Sequence, residues 1–271
     1  MRRVEKIPTI ILLVIVSAVS LFPFYMMFTM STYKAEEIFT GIKFLPGTYF
    51  FSNLKVVLDG NFAQAYLNSI TISITATFVS VLISAMAGYA LNIYVFRFKK
   101  VIFQIIILTM MIPTQISMVG YMILMRTFHL MNTLVPLMLI WFANGFGVFW
   151  MTKYMKTALS LEMVESARID GANEILVFFR IVLPCILPAV TTLVLLVFLW
   201  SWNNYLLPLI FITRANLTTI PIFIQSLSNA FRADYGGQLT GLVLATIPLI
   251  ILFVAGSRSF IRGLTSGAVK G

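Results

Sequence analysis

The chain has 271 residues, of which 60% are hydrophobic and only 10% are charged, whereas soluble domains average about 25% charged residues. This composition excludes an ordinary water-soluble globule. The net charge of +10 comes from basic residues that stand singly or in twos, without the dense basic stripe that nucleic acid binding requires. A single cysteine, Cys185, and a single histidine, His129, exclude an internal disulfide and a histidine-based metal site.

Long charge-free windows divide the chain into membrane spans. A charged side chain near the bilayer centre costs about 2.5 kcal/mol or more, so a span appears as roughly 20 uncharged residues. Six such windows predict an all-α membrane protein with six transmembrane helices, forming a single transmembrane domain over residues 1–271. The predicted spans cover residues 7–31, 66–95, 101–125, 134–152, 181–211 and 236–257.

The first span begins after Arg2, Arg3 and Lys6, as the apolar part of a secretory signal peptide would. Apolar residues continue from Leu21 to Met30, past the small residues at which a peptidase would cut. We therefore interpret this segment as an uncleaved first helix.

The distribution of basic residues sets the orientation of the spans. Six crossings place both termini on one side, and that side with its loops holds 13 of the 19 Lys and Arg residues. Since cytoplasmic loops are enriched in Lys and Arg, we expect both termini in the cytoplasm. The thirteen are Arg2, Arg3, Lys6, Arg97, Lys99, Lys100, Lys153, Lys156, Arg168, Arg180, Arg258, Arg262 and Lys270.

Small residues recur at helical spacing along the second span. Ser73 and Thr77 form one pair, and Ser80, Ser84 and Gly88 continue with a spacing of four. Such stripes let helices approach closely. We interpret this one as a packing surface that faces either another span or a partner subunit.

The third and fourth spans each carry a buried amide that could line a substrate pathway. Pro113 lies near the middle of the third span, where it permits a kink, and Gln115 follows it. Asn144 has a similar depth in the fourth span. A polar group in a membrane needs a partner, which could be a hydroxyl group of a solute or a neighbouring helix.

The loop between the fourth and fifth spans, residues 153–180, is longer than a turn between helices requires. Ser160 is a suitable N-cap, Glu162 suits a first helical turn, and Gly171 can close the helix in the left-handed conformation. A second helical run, Ala172 to Val182, leads into the fifth span. The sequence thus predicts a short helix, a glycine corner and a second helix.

The fifth span ends in Trp200 and the string Trp202-Asn203-Asn204-Tyr205 that follows it. The rings of Trp200, Trp202 and Tyr205 could stack on a ring of a solute, and the two amides could bind its hydroxyl groups. The same residues lie near the outer interface, where Trp and Tyr commonly anchor helices, so an anchor or outer gate is the alternative.

A polar segment, Arg214 to Asp234, connects the last two spans on the outer side. We interpret its part from Ala215 to Phe231 as a loop, because polar residues interrupt every apolar run. It is a candidate docking contact for a partner protein on that side, and a solvated linker is the alternative.

The loop between the fourth and fifth spans resembles the EAA loop of ABC-importer permeases. The resemblance rests on the string Glu165 to Ala172, which reads ESARIDGA, and on Phe178, Pro184 and Pro188 after it. Ser166 departs from the motif, which more often has Ala there. This small-for-small change should preserve the packing surface.

Further stretches resemble the carbohydrate branch of these permeases, specifically the shorter of the two maltose-type permease subunits. They are spread from the second span to the last residue. These stretches are Asn68-Ser69, Gly88-Tyr89-Ala90-Leu91, Trp202 to Tyr205 with Pro208-Leu209, and the tail from Arg262 to Gly271.

The resemblance implies that the helix from Ser160 to Ile169 is a cytoplasmic coupling helix that inserts into a groove of an ATPase subunit. The implied coupling residues combine small side chains with two acids. A helix lying on lipid is the alternative, but lipid-binding helices favour basic residues on their polar face. The implied residues are Glu165, Ser166, Ala167, Asp170, Gly171 and Ala172.

The resemblance also implies an assembly in a bacterial or archaeal cytoplasmic membrane. Its other members would be a homologous permease, two copies of a cytoplasmic ABC ATPase and an extracytoplasmic solute-binding protein. This chain has no phosphate-binding loop, so we expect it to bind no cofactor, with ATP and Mg held by the ATPase. It would then be a carbohydrate-transport subunit and not an enzyme.

A stand-alone secondary transporter is the alternative function. Such transporters usually place ionisable groups inside the membrane for ion coupling, and the six charge-free windows argue against that. A membrane-embedded enzyme would need clustered acids or histidines at an interface. The acids outside the 153–180 loop are dispersed.

Overall fold

The computed structural model describes residues 6–228 and 234–265, and its regular structure is helical. Most of the helices follow one another with short connections, but residues 31–49 separate the first from the second. They are α1 (Lys6–Met30), α2 (Phe50–Asp59), α3 (Phe62–Ile93), α4 (Lys99–Met111), α5 (Thr114–Thr127), α6 (Val135–Phe142), α7 (Gly145–Ala158), α8 (Leu161–Ile169), α9 (Glu174–Cys185), α10 (Leu187–Trp202), α11 (Leu206–Phe211), α12 (Ile220–Ser226) and α13 (Tyr235–Thr265).

Between four and six segments are long and apolar enough to cross a membrane. Four of them are α1, α3, the segment Val135–Ala158 that contains α6 and α7, and α13. The other two are the bent pairs α4 with α5 and α9 with α10. The six predicted spans are obtained when each bent pair counts as one.

Proline explains the sharper of the two bends, which measures 100° between α4 and α5. Pro113 has no N–H to continue the α4 ladder, and it occupies the N-cap position of α5 with an extended ψ of 126°. The sequence predicted a kink here, and the structure has a complete break. The second bend, 82° between α9 and α10, lies at Ile186.

The chain divides into two compact units. The first contains residues up to 63 together with 220–247. Its buried Asn53 donates hydrogen bonds from Nδ2 to the carbonyl oxygens of Ser31, at 2.8 Å, and Tyr33, at 2.9 Å. Phe62 and Phe223 pack edge to face, with ring centroids 5.6 Å apart. One amide therefore ties the end of α1 to α2.

The second unit contains residues 64–219 and the chain from 248 onward. The small-residue stripe of α3 faces other helices of this unit, as one of its two interpretations predicted. A Cβ added to Gly88 would lie only 2.8 Å from the Cβ of Met151 in α7. Ser73 lies 3.5 Å from Ser201 of α10, Oγ to Oγ. The stripe thus lets α3 pack closely on α7 and α10.

The interpretation of residues 215–231 as a loop was wrong for its central part. A 3₁₀-helix covers Ala215–Leu217, and α12 covers Ile220–Ser226. Ile220, Phe223 and Ile224 are buried at helical spacing, but this apolar run is short and polar residues flank it on both sides.

The 153–180 segment also contains more helix than the sequence predicted. α7 continues through Lys153 to Ala158, α8 follows at once, and α9 begins at Glu174. Residues 178–182 of α9 widen into a π-helical turn. Only short corners therefore separate α7, α8 and α9.

Candidate functional site

A cavity of about 900 Å³ lies within the second unit, where three helix interruptions meet. Its wall includes Ile112 and Thr114 from the α4–α5 break, and Ala143 and Asn144 from the α6–α7 break. The residues between α10 and α11 complete it. Non-helical backbone at membrane depth is tolerated where it lines a water-filled cavity. The three breaks mark this cavity as the site through which a polar solute could pass.

The wall combines aromatic rings, amides and hydroxyl groups with apolar side chains. Within the described chain, none of its residues is Asp, Glu, Lys, Arg or His. The full lining is Thr109, Met110, Ile112, Thr114, Gln115, Met118, Ile140, Trp141, Ala143, Asn144, Gly145, Phe146, Leu199, Trp200, Asn203, Asn204, Tyr205, Leu206 and Leu207.

Gln115 and Asn144, the two predicted amides, both line this cavity. Gln115 is exposed, and its contact within the described chain is a weak hydrogen bond of 3.5 Å from Thr114. Asn144 caps α7 by accepting a bond from the Gly147 N–H at 3.1 Å, and its Nδ2 donates to Ser80 at 3.2 Å. Both polar atoms of the Asn144 side chain are thus occupied by hydrogen bonds within the protein, whereas the Gln115 side chain is exposed.

Asn203, Asn204 and Tyr205 also line the cavity. Asn203 donates to the Leu199 carbonyl at 2.9 Å, and Asn204 accepts from the Leu207 N–H at 3.0 Å. The Nδ2 group of Asn204 has no partner within the described residues. These bonds fix the chain at the α10–α11 break. They leave the Oδ1 atom of Asn203 and the Nδ2 group of Asn204 for a solute.

The structure separates Trp202 from the other predicted pathway residues. It is 2% exposed and absent from the cavity wall. Its ring stacks on Phe198 at 5.7 Å and meets Tyr66 edge to face at 5.5 Å. Trp202 therefore packs in the protein interior.

Two further tryptophans, Trp200 and Trp141, also line the wall. Trp200 is 37% exposed and meets Phe146 edge to face at 5.4 Å. Trp141 lies near the end of α6. The sequence indicated Trp200 as a ring that could stack on a solute, but it gave no sign of Trp141, which stands in an unbroken apolar run.

The predicted helix, corner and helix are present in the structure. Ser160 caps α8 by accepting a hydrogen bond from the Met163 N–H at 3.2 Å. Gly171 turns the chain with φ of +83°, in the left-handed region that favours glycine. Asn173, which the sequence analysis did not single out, caps α9 by accepting from the Leu176 N–H at 2.8 Å.

The predicted coupling residues point in two directions. Glu165, Ser166, Asp170 and Gly171 are exposed, and Ile169 beside them is 85% exposed. In the other direction, two small side chains pack against the core that α8 shares with α3, α7 and α9. The inward-packed small residues are Ala167 and Ala172.

Glu174 connects α8 to α3, a role that the sequence analysis missed. Its carboxylate accepts hydrogen bonds from Arg168 Nε at 2.8 Å, Tyr89 Oη at 2.9 Å and Tyr94 Oη at 2.5 Å. Glu174 lies in the 153–180 segment, before the predicted fifth span. There, the hydrogen bond from Arg168 lowers the pKa of the Glu174 carboxyl to about 2, aided by the bond from Tyr94.

The outer segment is fastened at its start by Asn68, which was one of the residues that carried the resemblance. Asn68 Nδ2 donates to the carbonyl oxygens of Asn216, at 3.0 Å, and Thr218, at 2.9 Å. Asn229, part of the predicted docking contact, lies outside the described residues.

Comparison with known proteins gives concordant matches. The family described as binding-protein-dependent transport system inner membrane component matches residues 80–266. The lactose transport system permease protein LacG of Rhizobium radiobacter is 31% identical, covering 99% of this chain and 98% of that protein. The arabinooligosaccharides transport system permease protein AraQ of Bacillus subtilis is 30% identical, covering 99% and 97%.

A solved structure matches along nearly the whole length. It belongs to a bacterial ABC transporter involved in the import of the acidic polysaccharide alginate. The TM-score is 0.80 over 95% of this chain and 97% of that one, at 24% sequence identity. This match shows that the two chains share a fold.

Proposed function

Since the chain belongs to the family of binding-protein-dependent transport system inner membrane components, we propose that it forms one half of the translocation pathway of an ATP-driven importer for uncharged carbohydrates. It is a multi-pass membrane transport subunit and not an enzyme. A stand-alone secondary transporter is not favoured, because the family works together with a binding protein.

The cavity at the three helix breaks carries this proposal. Aromatic faces and amide groups together suit a sugar, which has apolar ring faces and hydroxyl edges. Trp200 and Tyr205 offer the aromatic faces, and Gln115, Asn203 and Asn204 offer amides. Relatives whose names specify lactose and arabinooligosaccharides support the carbohydrate class.

The charge of the cavity wall supports an uncharged substrate. A carboxylate or phosphate that leaves water needs a cation or several strong donors to replace its hydration. The described wall contains no Lys, Arg or His. This chain's half of the pathway therefore favours a neutral sugar over a uronic acid or glycerol phosphate.

In this proposal, α8 is the helix that couples ATP hydrolysis to transport. The exposed residues Glu165, Ser166, Ile169 and Asp170 form a mixed polar and apolar face that suits a groove on a cytoplasmic ATPase. We assign α8 to the cytoplasmic side, together with both termini, in a bacterial or archaeal inner membrane. The assembly comprises this chain, a homologous permease, two ATPase copies that hold ATP and Mg, and an extracytoplasmic binding protein.

The outer segment from Arg214 to Asp234 is the proposed contact for the binding protein. Asn68 fixes its beginning by two hydrogen bonds to backbone oxygens. Because α12 contributes buried side chains, the exposed residues are tested instead: replacing Arg214, Asn216 and Gln225 by Ala should abolish stimulation of the ATPase by loaded binding protein. Unchanged stimulation would assign the segment to a linker role instead.

Reconstitution of the complete complex in proteoliposomes tests the function. ATP hydrolysis is measured with binding protein and a panel of neutral sugars, uronic-acid oligosaccharides and glycerol phosphate. We expect stimulation by one class of neutral sugar. Stimulation by anionic solutes alone would contradict the uncharged class, and no response to any loaded binding protein would contradict the importer function.

A matched pair of variants connects that activity to the cavity. Trp200→Ala removes an aromatic face and should raise the KM for uptake by about 2- to 10-fold, the value of one aromatic contact. Trp200→Phe keeps a ring and should stay close to wild type. Equal KM values for both variants and wild type would remove Trp200 from the pathway.

A further inference from the structure

The carboxylate of Glu174 lies where the proposed coupling helix meets α3. Arg168 belongs to the last turn of α8, and its Nε donates to Glu174 Oε1 at 2.8 Å. Tyr89, near the end of α3, donates to Oε2 at 2.9 Å. One carboxylate at the start of α9 thus holds two other helices by separate oxygens.

The surroundings make this connection stiff on the α3 side. Tyr89 is 5% exposed and packs on Phe178 of α9 with ring centroids 5.8 Å apart. Tyr94 donates to the same Oε2, and the Arg168 guanidinium lies 5.7 Å from the Tyr94 ring centroid. Movement of α8 therefore pulls on a buried ring and not only on a surface side chain.

α3 extends from Tyr89 to Ser80, which contacts a residue of the cavity wall. Ser80 accepts a hydrogen bond at 3.2 Å from Asn144, which lines the cavity and caps α7. Nine residues separate Ser80 from Tyr89, or about 14 Å of helix. Between them, Gly88 brings the backbones of α3 and α7 into close approach. A rigid helix thus joins the carboxylate to the wall.

We propose that Glu174 is a positioning residue that couples movement of α8 to α3, and through α3 to the cavity, by holding Arg168 and Tyr89 on one carboxylate. The proposal rests on the proposed importer function. It adds a mechanical connection inside this chain to the contact between α8 and the ATPase.

The test compares sugar transported with ATP hydrolysed in proteoliposomes that contain the complete complex. Glu174→Gln keeps the shape but loses the charge that holds Arg168, and should lower the transport-to-hydrolysis ratio by at least about threefold. Tyr89→Phe removes one hydrogen bond and should lower the ratio in the same direction. In the double variant, the ratio should fall by less than the product of the two single reductions, because both substitutions act on one contact.

Glu36→Gln, which neutralises an exposed acid between α1 and α2, is the matched control and should keep the wild-type ratio. A purely structural role would reduce the amount of assembled complex while leaving the ratio unchanged, and that result would overturn the proposal. If Glu174→Gln fails to assemble, the ratio for Tyr89→Phe decides. A wild-type complex that no loaded binding protein stimulates would instead contradict the importer function itself.

Discussion

At the scale of single residues, Gly171 sets the angle between α8 and α9 through its φ of +83°. A β-branched residue in this conformation costs about 1–2 kcal/mol, although no atom lies within 4 Å of the position of an added Cβ. We expect Gly171→Val to reduce ATP-driven uptake severalfold while the protein still inserts. Gly171→Asn tolerates the left-handed conformation and should retain most activity. Uptake is measured together with membrane abundance, so that a loss of transport in Gly171→Val is distinguished from a loss of inserted protein.

The depressed pKa of Glu174 predicts a pH dependence of stability. The carboxyl titrates near pH 2 in the folded chain and near 4.5 when unfolded, so its contribution is complete above about pH 4.5 and is lost as the pH falls towards 2. We expect the difference in Tm between wild type and Glu174→Gln to shrink from about pH 6 to about pH 3. Thermal unfolding in detergent measures it, and a difference that stays constant would contradict the shift.

Sequence reasoning predicted residues whose role is local and missed those whose role depends on packing. Ser160 and Gly171 follow from capping preferences and backbone conformation, so both were predicted correctly. Glu174 gains its role from Tyr89, 85 residues away, which no local pattern reveals. Trp202 belongs to the same string as Asn203 and Asn204, yet helical rotation turns it into the interior.

At the scale of helices, the contact between α3 and α7 depends on Gly88. Because an added Cβ would come within 2.8 Å of the Met151 Cβ, we expect Gly88→Ala to destabilise the protein by about 1–3 kcal/mol. Gly120→Ala, in α5, is the control, since nothing lies within 4 Å of its added Cβ. That change should be neutral or slightly stabilising. Equal Tm values for the two variants would refute close packing at Gly88.

The helices could be predicted because a bilayer demands long uncharged segments, which are visible in one sequence. Their breaks could be predicted only in part. Pro113 indicated a weak point, but the bend of 100° depends on the neighbours that accommodate the freed backbone. α12 was missed because its apolar run around Phe223 is only five residues long and stands between polar residues that are typical of a loop.

At the scale of the whole molecule, the proposed orientation places α8 and the α1–α2 connection on opposite sides of the membrane. The chain has one cysteine, Cys185, so Cys185→Ser provides a cysteine-free background. In it, Lys43→Cys should react with an impermeant maleimide in intact spheroplasts, and Glu165→Cys only in inside-out vesicles. Reaction of both from the same side would reject the proposed topology.

The cavity forms where three helices are interrupted, so part of its polarity comes from main-chain groups that no mutation can delete. The side chains around those breaks can then be exchanged while the main-chain polar groups of the cavity stay in place. This arrangement allows related proteins to diverge in the solute that they transport. Gene duplication followed by a few replacements at positions such as Thr114 or Trp200 could retune which solute passes, while the bends, and the machinery that moves them, are inherited unchanged.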